Sequence, residues 1–154
     1  MIEVGKKAPS FSLLDSSGKK TSLKDFSGKN IILYFYPKDM TSGCTKEACD
    51  FRDLFPKFLD SNAIVIGIST DSISSHKKFI EKYNLPFILL SDEKKEVVEK
   101  YGVWKEKSMY GKKYMGIERT TFVIDKEGKI KKIYNKVKVE GHADEVLKFL
   151  KEIE

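Results

Sequence analysis

Cysteine is scarce here, two of 154 residues, far below the density at which small secreted domains replace a core by cross-links. A disulfide scaffold is therefore excluded. Long apolar runs are missing as well. The longest, Ile31 to Tyr36 and Ala63 to Ile68, fall well short of the roughly 18 residues of a membrane span, so no bilayer crossing is expected. The opening stretch Met1 to Lys6 carries an early acid and no apolar segment of a secretion signal, which makes a cytoplasmic location with reduced thiols the expectation. Arginine is nearly absent. The 29 basic residues exceed the 23 acidic ones to give +6, but the arginines are Arg52 and Arg119 alone. Readers of nucleic acid lean on arginine for forked contacts, and here lysines alternate with Glu and Asp along the whole chain. The surplus reads as a solvated surface, with no nucleic-acid partner, and each arginine raises a question of geometry.

No repeat, low-complexity tract or Pro/Gly/Ser linker divides the chain, and 40% hydrophobic content suffices for one packed core. One domain over residues 1–154 is expected. Phe11 to Leu14 and Lys20 to Leu23, separated by Asp15-Ser16-Ser17-Gly18, suggest a short N-terminal hairpin. Ile31 to Tyr36 has the β-branched and aromatic continuity of a strand buried on both faces, and Pro37 ends it. Ala48, Phe51, Leu54, Phe55, Phe58 and Leu59 recur at helical spacing, which predicts a helix from Cys44 to about Leu59 with Thr41, Ser42 and Gly43 before it as breakers and caps. Ala63 to Ser69 is a second buried strand, Asp71 to Tyr83 a helix, Phe87 to Leu90 a strand and Glu93 to Tyr101 a short helix. Thr120 to Asp125 and Ile130 to Tyr134 form a late hairpin, and Ala143 to Ile153 a closing amphipathic helix. The pattern is α/β, with a mixed sheet flanked by helices.

Cys44 falls at the first turn of a helix, just after a strand, a proline and a glycine. Free amides and the dipole at a helix N-terminus favour thiolate over thiol, and the thiolate is the nucleophile. A buried structural cysteine is the competing account, but it does not explain that position. Cys49 follows five residues later, so the pair is not C-x-x-C, and His76 and His142 are too distant in sequence to complete a zinc set. On an ideal helix, residues five apart have Cα atoms about 8.6 Å apart, whereas a disulfide needs about 7 Å or less. A bond between them would require the first turns to unwind. The competing account of Cys49 is a small apolar residue facing the core.

The stretch from Phe35 to Asp53, Phe35-Tyr36-Pro37-Lys38-Asp39-Met40-Thr41-Ser42-Gly43-Cys44-Thr45-Lys46-Glu47-Ala48-Cys49 and onward, resembles the active-site segment of the peroxiredoxins, in the Q-type or bacterioferritin-comigratory-protein branch. Val4 to Pro9, Gly67 to Ser72 and Glu118 to Asp125 extend the resemblance over nearly the whole chain. It implies a thioredoxin-like fold and reduction of hydroperoxides by a cysteine. By position it implies that Cys44 is the peroxidatic cysteine, that Thr41 hydrogen-bonds the peroxide, that Pro37 shelters the pocket and that Arg119 orients thiolate and substrate. Gly43 belongs to the same substrate-binding turn. Cys49 matches the resolving cysteine, implying an intramolecular disulfide and reduction by thioredoxin or a similar dithiol, in a monomer. No metal, flavin or haem is required.

The residue types agree with that chemistry. A peroxide offers no carbonyl to polarise, so an enzyme must aim a thiolate along the O–O axis and stabilise charge arriving on the leaving oxygen. The planar fork of Arg119 can contact sulfur and oxygen together, which lysine cannot. The product would be a sulfenic acid, which condenses with a nearby thiol. Ser42 departs from the proline found in many members and leaves the loop less rigid. Glu47 and Arg52 match the branch too, with a capping or salt-bridge role on the helix as good an account as catalysis. Trp104, Met109, Tyr110, Tyr114 and Met115 with their lysines are expected in a loop beside the active site, aromatics inward. His76 and His142 are expected to have local structural roles. A redox sensor or binding protein, oxidised at Cys44 without turnover, is the alternative to a thiol peroxidase.

Overall fold

The computed structural model describes residues 2–153; Met1 and Glu154, the ends of the expected domain, lie outside the described residues. A seven-stranded sheet dominates, built from β1 (Ser12–Asp15), β2 (Lys20–Ser22), β3 (Asn30–Phe35), β4 (Ala63–Ser69), β5 (Ile88–Ser91), β8 (Thr120–Ile124) and β9 (Ile130–Tyr134) in the order β2-β1-β5-β4-β3-β8-β9. β3, β4 and β5 run parallel. β8 is antiparallel to β3, and β1 to β5. The expected N-terminal hairpin is present, its turn held by Asp15 Oδ1, which accepts from the amides of Ser17 and Lys19 at 2.9 and 3.0 Å. Gly18 supplies a left-handed φ of 83° there, which costs glycine little.

All six residues of β3 are buried, as a central strand covered on both faces requires. Alternate residues serve two cores. Ile32, Tyr34 and Tyr36 pack with Phe51 and Phe58 of α1 (Ser42–Asp60), Phe79 of α2 (Ile73–Tyr83) and Val146 and Leu150 of α4 (His142–Glu152). Ile31, Leu33 and Phe35 face Val97 and Val98 of α3 (Glu96–Lys100), Tyr101 and Phe122. Gly67 on β4 leaves space for this packing, because a Cβ there would lie 2.7 Å from Leu89 Cδ2 and 2.9 Å from Tyr34 Cζ. Among the described residues, no helix is long and apolar enough to cross a membrane.

Element ends shift by a few residues from the expectations. α1 starts at Ser42 rather than Cys44, so Cys44 is its third residue. α2 begins two residues late because Ser72 caps it, its Oγ accepting from Ser75 N at 3.1 Å, as an N-cap serine should. The larger correction concerns residues 104–117. They form a two-stranded hairpin, β6 (Trp104–Met109) and β7 (Lys112–Ile117), not a loop. Its tip has φ of 51° at Tyr110 and 76° at Gly111, the two positive values of a tight hairpin turn. The side chains there do not pack inward: Tyr110 is 96% exposed, and Met109, Tyr114 and Met115 are exposed with it. Trp104, at the base, is half-buried against the second core.

Candidate active site

Strand direction assembles the site. β3 delivers Tyr36 and Pro37 at its C-terminal end, from which the chain passes through Lys38 to Thr41 into α1. Since β8 is antiparallel to β3, with Thr120 opposite Phe35, the residue entering β8 arrives at that same end. That residue is Arg119, which carries its backbone carbonyl to Val137 N at 3.0 Å.

Cys44 is 1% exposed and Cys49 half-buried, and both are free thiols. α1 runs unbroken through the pair. Arg119 donates twice. Its Nη1 gives a 2.6 Å hydrogen bond to Glu47 Oε1, and its Nη2 lies 3.4 Å from Cys44 Sγ. Glu47 and Cys44 sit three residues apart on α1, neighbours on one helical face, so one planar guanidinium spans both. Lysine would bring a single nitrogen and one compact charge in place of that planar fork. Gly43 keeps the approach open, since a Cβ at that position would stand 3.2 Å from Arg119 Nη2.

Thr41 is the N-cap of α1, yet its hydroxyl does not cap the helix. It donates to Lys38 O at 2.9 Å, and Thr45 N donates to the Thr41 carbonyl at 2.9 Å. Thr41 is exposed and Pro37 half-buried. Arg52 makes its contacts away from Cys44. It donates to Asp53 Oδ1 at 2.9 Å and to Tyr83 O at 2.8 Å, tying α1 to the end of α2.

The electrostatics centre on a buried ion pair. Burial pushes the Glu47 carboxyl up to about 7, against the pull of Arg119. Burial lowers the Arg119 guanidinium, and Glu47 and Cys44 more than offset this, leaving it above its ordinary value. Such a pair is stable only because its charge-assisted bond compensates for lost hydration. Glu47 Oε2 and the Tyr34 hydroxyl are buried without a partner. Burial, then the charges of Glu47 and Cys44, drive that hydroxyl well above the usual tyrosine value. On β6, Lys107 is half-buried, and burial followed by the nearby Arg119 charge lowers its ammonium below the usual lysine value.

Glu47, Tyr34 and Lys107 are thus residues of this environment that sequence reasoning left outside the site. For Glu47 a signal existed in its three-residue offset from Cys44. Asp39, Asp71 and His76 place potential ligand atoms within 4.8 Å of one another, the one such group among the described residues. His142 bridges β8 and α4, with Nε2 at 2.8 Å from Thr121 Oγ1 and Nδ1 at 2.7 Å from Glu145 Oε1.

Known proteins share this chain's sequence and shape. Residues 4–133 match the AhpC/TSA family. Peroxiredoxin Bcp of Bacillus subtilis (strain 168) is 53% identical over 152 residues, covering 99% of this chain and 97% of its own. The putative peroxiredoxin bcp of Coxiella burnetii is 56% identical over 146 residues, covering 95% and 97%. A cysteine-to-serine mutant of Xylella fastidiosa PrxQ superposes with a TM-score of 0.94 at 38% identity, covering 99% of this chain and 97% of that one. The mixed sheet and its helices are the thioredoxin-like fold of such peroxiredoxins. Overlap of this extent in sequence and backbone leads to one conclusion: the chain belongs to the AhpC/TSA family, in its Bcp or peroxiredoxin Q branch.

Proposed function

We propose that this protein reduces hydrogen peroxide and organic hydroperoxides with Cys44 as the peroxidatic and Cys49 as the resolving cysteine. The observation that carries the reading is the fork of Arg119 between Cys44 Sγ at 3.4 Å and Glu47 Oε1 at 2.6 Å, at the head of α1. In the first step the Cys44 thiolate attacks the outer peroxide oxygen, the O–O bond breaks, and the alkoxide or hydroxide leaves with a proton as alcohol or water. Arg119 and the first amides of α1 supply the donors for the charge that develops. The Thr41 hydroxyl proton is engaged by Lys38 O, so its oxygen lone pairs are available to accept the peroxide O–H. Pro37 shelters the pocket and Gly43 contributes its backbone to the substrate-binding turn.

The product is Cys44 sulfenic acid. The Cys49 thiol then attacks its sulfur, water leaves, and a disulfide forms. That step requires α1 to unwind locally around residues 43–50, because helical geometry holds the two Cα atoms about 8.6 Å apart. Thioredoxin or a similar dithiol returns both thiols by exchange, supplying two electrons and two protons. No cofactor is needed for this sequence of steps. Residues 1–154 act as a single domain, a monomer in the cytoplasm.

A peroxide-consumption assay with dithiothreitol or thioredoxin tests the reading. Many turnovers, abolished by Cys44→Ser, with a Cys44–Cys49 linkage in mass spectra after peroxide, are the expected result. Oxidation of a single equivalent without turnover would replace the enzyme by a redox sensor. An intact α1 in the disulfide form would overturn the unwinding step.

A further inference from the structure

The densest buried polar cluster outside the thiol site lies one loop upstream of it. Asp39 is 4% exposed and His76 0%. Asp39 sits between β3 and α1, five residues before Cys44, and all of its side chain is engaged. Its Oδ1 accepts from the Tyr36 hydroxyl at 2.6 Å; its Oδ2 accepts from Ser75 Oγ at 2.8 Å and lies 2.7 Å from His76 Nδ1. Its backbone N–H donates to Asp71 Oδ2 at 2.8 Å, and Asp71 is in turn held by Ser69 Oγ at 2.6 Å. His76 Nε2 stands 3.0 Å from Leu90 O. The ring is thus held at both nitrogens, one by Asp39 and one by the β5 backbone.

Asp39, Asp71 and His76 have the makeup of a metal ligand set. Asp39 and His76 are instead buried and engaged by protein groups, while Asp71 is half-buried with its Oδ2 taken up by Asp39 N and Ser69 Oγ. What the cluster does hold is a loop. Met40, directly after Asp39, has a φ of 68°, a left-handed conformation that an unbranched non-glycine residue adopts only when its surroundings impose it. The next residue is Thr41, the N-cap of α1. The anchor at Asp39 thus forces the chain through a strained residue so as to deliver Thr41 and Cys44 in register with Arg119.

We propose that the buried Asp39–His76 pair, with Ser75 and Tyr36, is a positioning device that holds the α1 entry in its peroxide-reactive arrangement and fixes the upstream limit of unwinding. The proposal rests on the peroxidase reading above. Asp39 is tied to α2 through Ser75 and His76 and to the connection between β4 and α2 through Asp71, neither of which contains a cysteine, so it stays in place while the turns that follow it open. Weakening the anchor then moves two steps in opposite directions. The folded arrangement needed for attack on peroxide becomes less populated, and the opened arrangement needed for Cys49 becomes more so. Sulfenic acid that reaches Cys49 sooner has less time to meet a second peroxide and become sulfinic acid. A purely structural contribution to folding would not produce that divergence.

The test uses the full-length chain and hydrogen peroxide. Ser75→Ala and Tyr36→Phe each delete one bond to Asp39, and His76→Leu removes the ring. Two quantities are read by quench and mass spectrometry: the rate constant for Cys44 oxidation, and the ratio of sulfinic acid to Cys44–Cys49 disulfide at excess peroxide. The expected result is a three- to tenfold slower oxidation together with an at least threefold lower ratio. Rates and ratios within twofold of the parent in variants that unfold cooperatively on heating would overturn the proposal, as would slower oxidation with an unchanged or higher ratio. If His76→Leu fails to fold, Ser75→Ala and Tyr36→Phe decide alone. Absence of Cys44-dependent peroxide reduction in the parent chain would overturn the peroxidase reading itself, a separate result read in the same assay.

Discussion

Gly43 and Arg119 meet across the site so closely that a Cβ on Gly43 would stand 3.2 Å from Arg119 Nη2, tighter than an ordinary contact. Gly43→Ala is therefore expected to displace the guanidinium by a few tenths of an ångström. Alanine favours the helix by up to about 1 kcal/mol, so thermal stability should hold or rise. The rate constant for peroxide should fall about tenfold, because alignment at the reacting atoms is sensitive to such shifts. Stopped-flow oxidation beside a melting curve separates the two effects.

Arg119→Lys should cost more. An ammonium lacks the planar fork that spans Glu47 and Cys44, and loss of one preorganised donor at a reacting centre typically costs about 10²–10³ in rate. Arg119→Leu adds a stability loss of about 3 kcal/mol by leaving Glu47 buried and unpaired, measurable by urea titration at neutral pH.

Glu47 gives stability an unusual slope with pH. Its carboxyl is raised from 4.5 to about 7 in the folded state, so between these values the native chain holds a proton that the unfolded chain has released. The contribution is fully present below 4.5 and is lost as pH rises through about 7, an effect of up to roughly 3 kcal/mol. Glu47→Gln removes the group. Urea titrations at about pH 5 and about pH 8 should show the parent losing stability relative to this variant as pH rises.

Ser42 occupies the first helical position of α1 and is exposed. Proline suits that position because the helix asks no N–H of it. Ser42→Pro is expected to stabilise the chain by about 0.5–1 kcal/mol through a less flexible unfolded state, with turnover retained. Differential scanning calorimetry and the dithiol-coupled assay check both halves.

Much of this was readable in the residues. β4 and β9 carry apolar, β-branched stretches bounded by turn formers, and the structure places them at residues 63–69 and 130–134 as expected. Cys44 and Arg119 stood out because each is rare in this composition and each follows a recognisable element boundary. The hairpin at residues 104–117 was hidden because Lys105, Glu106, Lys107 and Ser108 give no apolar alternation. β6 and β7 pair mainly with each other, apart from the main sheet. Glu47 was visible as a match to the branch and by its offset from Cys44, but its partner was not, since a helical acid paired with a distant arginine has the same spacing as one paired with solvent. The Asp39–His76 contact spans 37 positions, and only the parallel strands β3, β4 and β5 bring those loops together.

The register between β3 and β8 sets what length changes the chain tolerates. Arg119 reaches Cys44 because Thr120 lies opposite Phe35 and side chains alternate faces along a strand. One residue inserted between Arg119 and Thr120 would turn the guanidinium to the other face of the sheet, away from Cys44. An insertion at Tyr110-Gly111, by contrast, lengthens an exposed tip that no core residue touches. Variation in chain length is thus channelled to the outer end of the β6–β7 hairpin, while the joint Arg119–Thr120 at the entry to β8 must be inherited without a change in length.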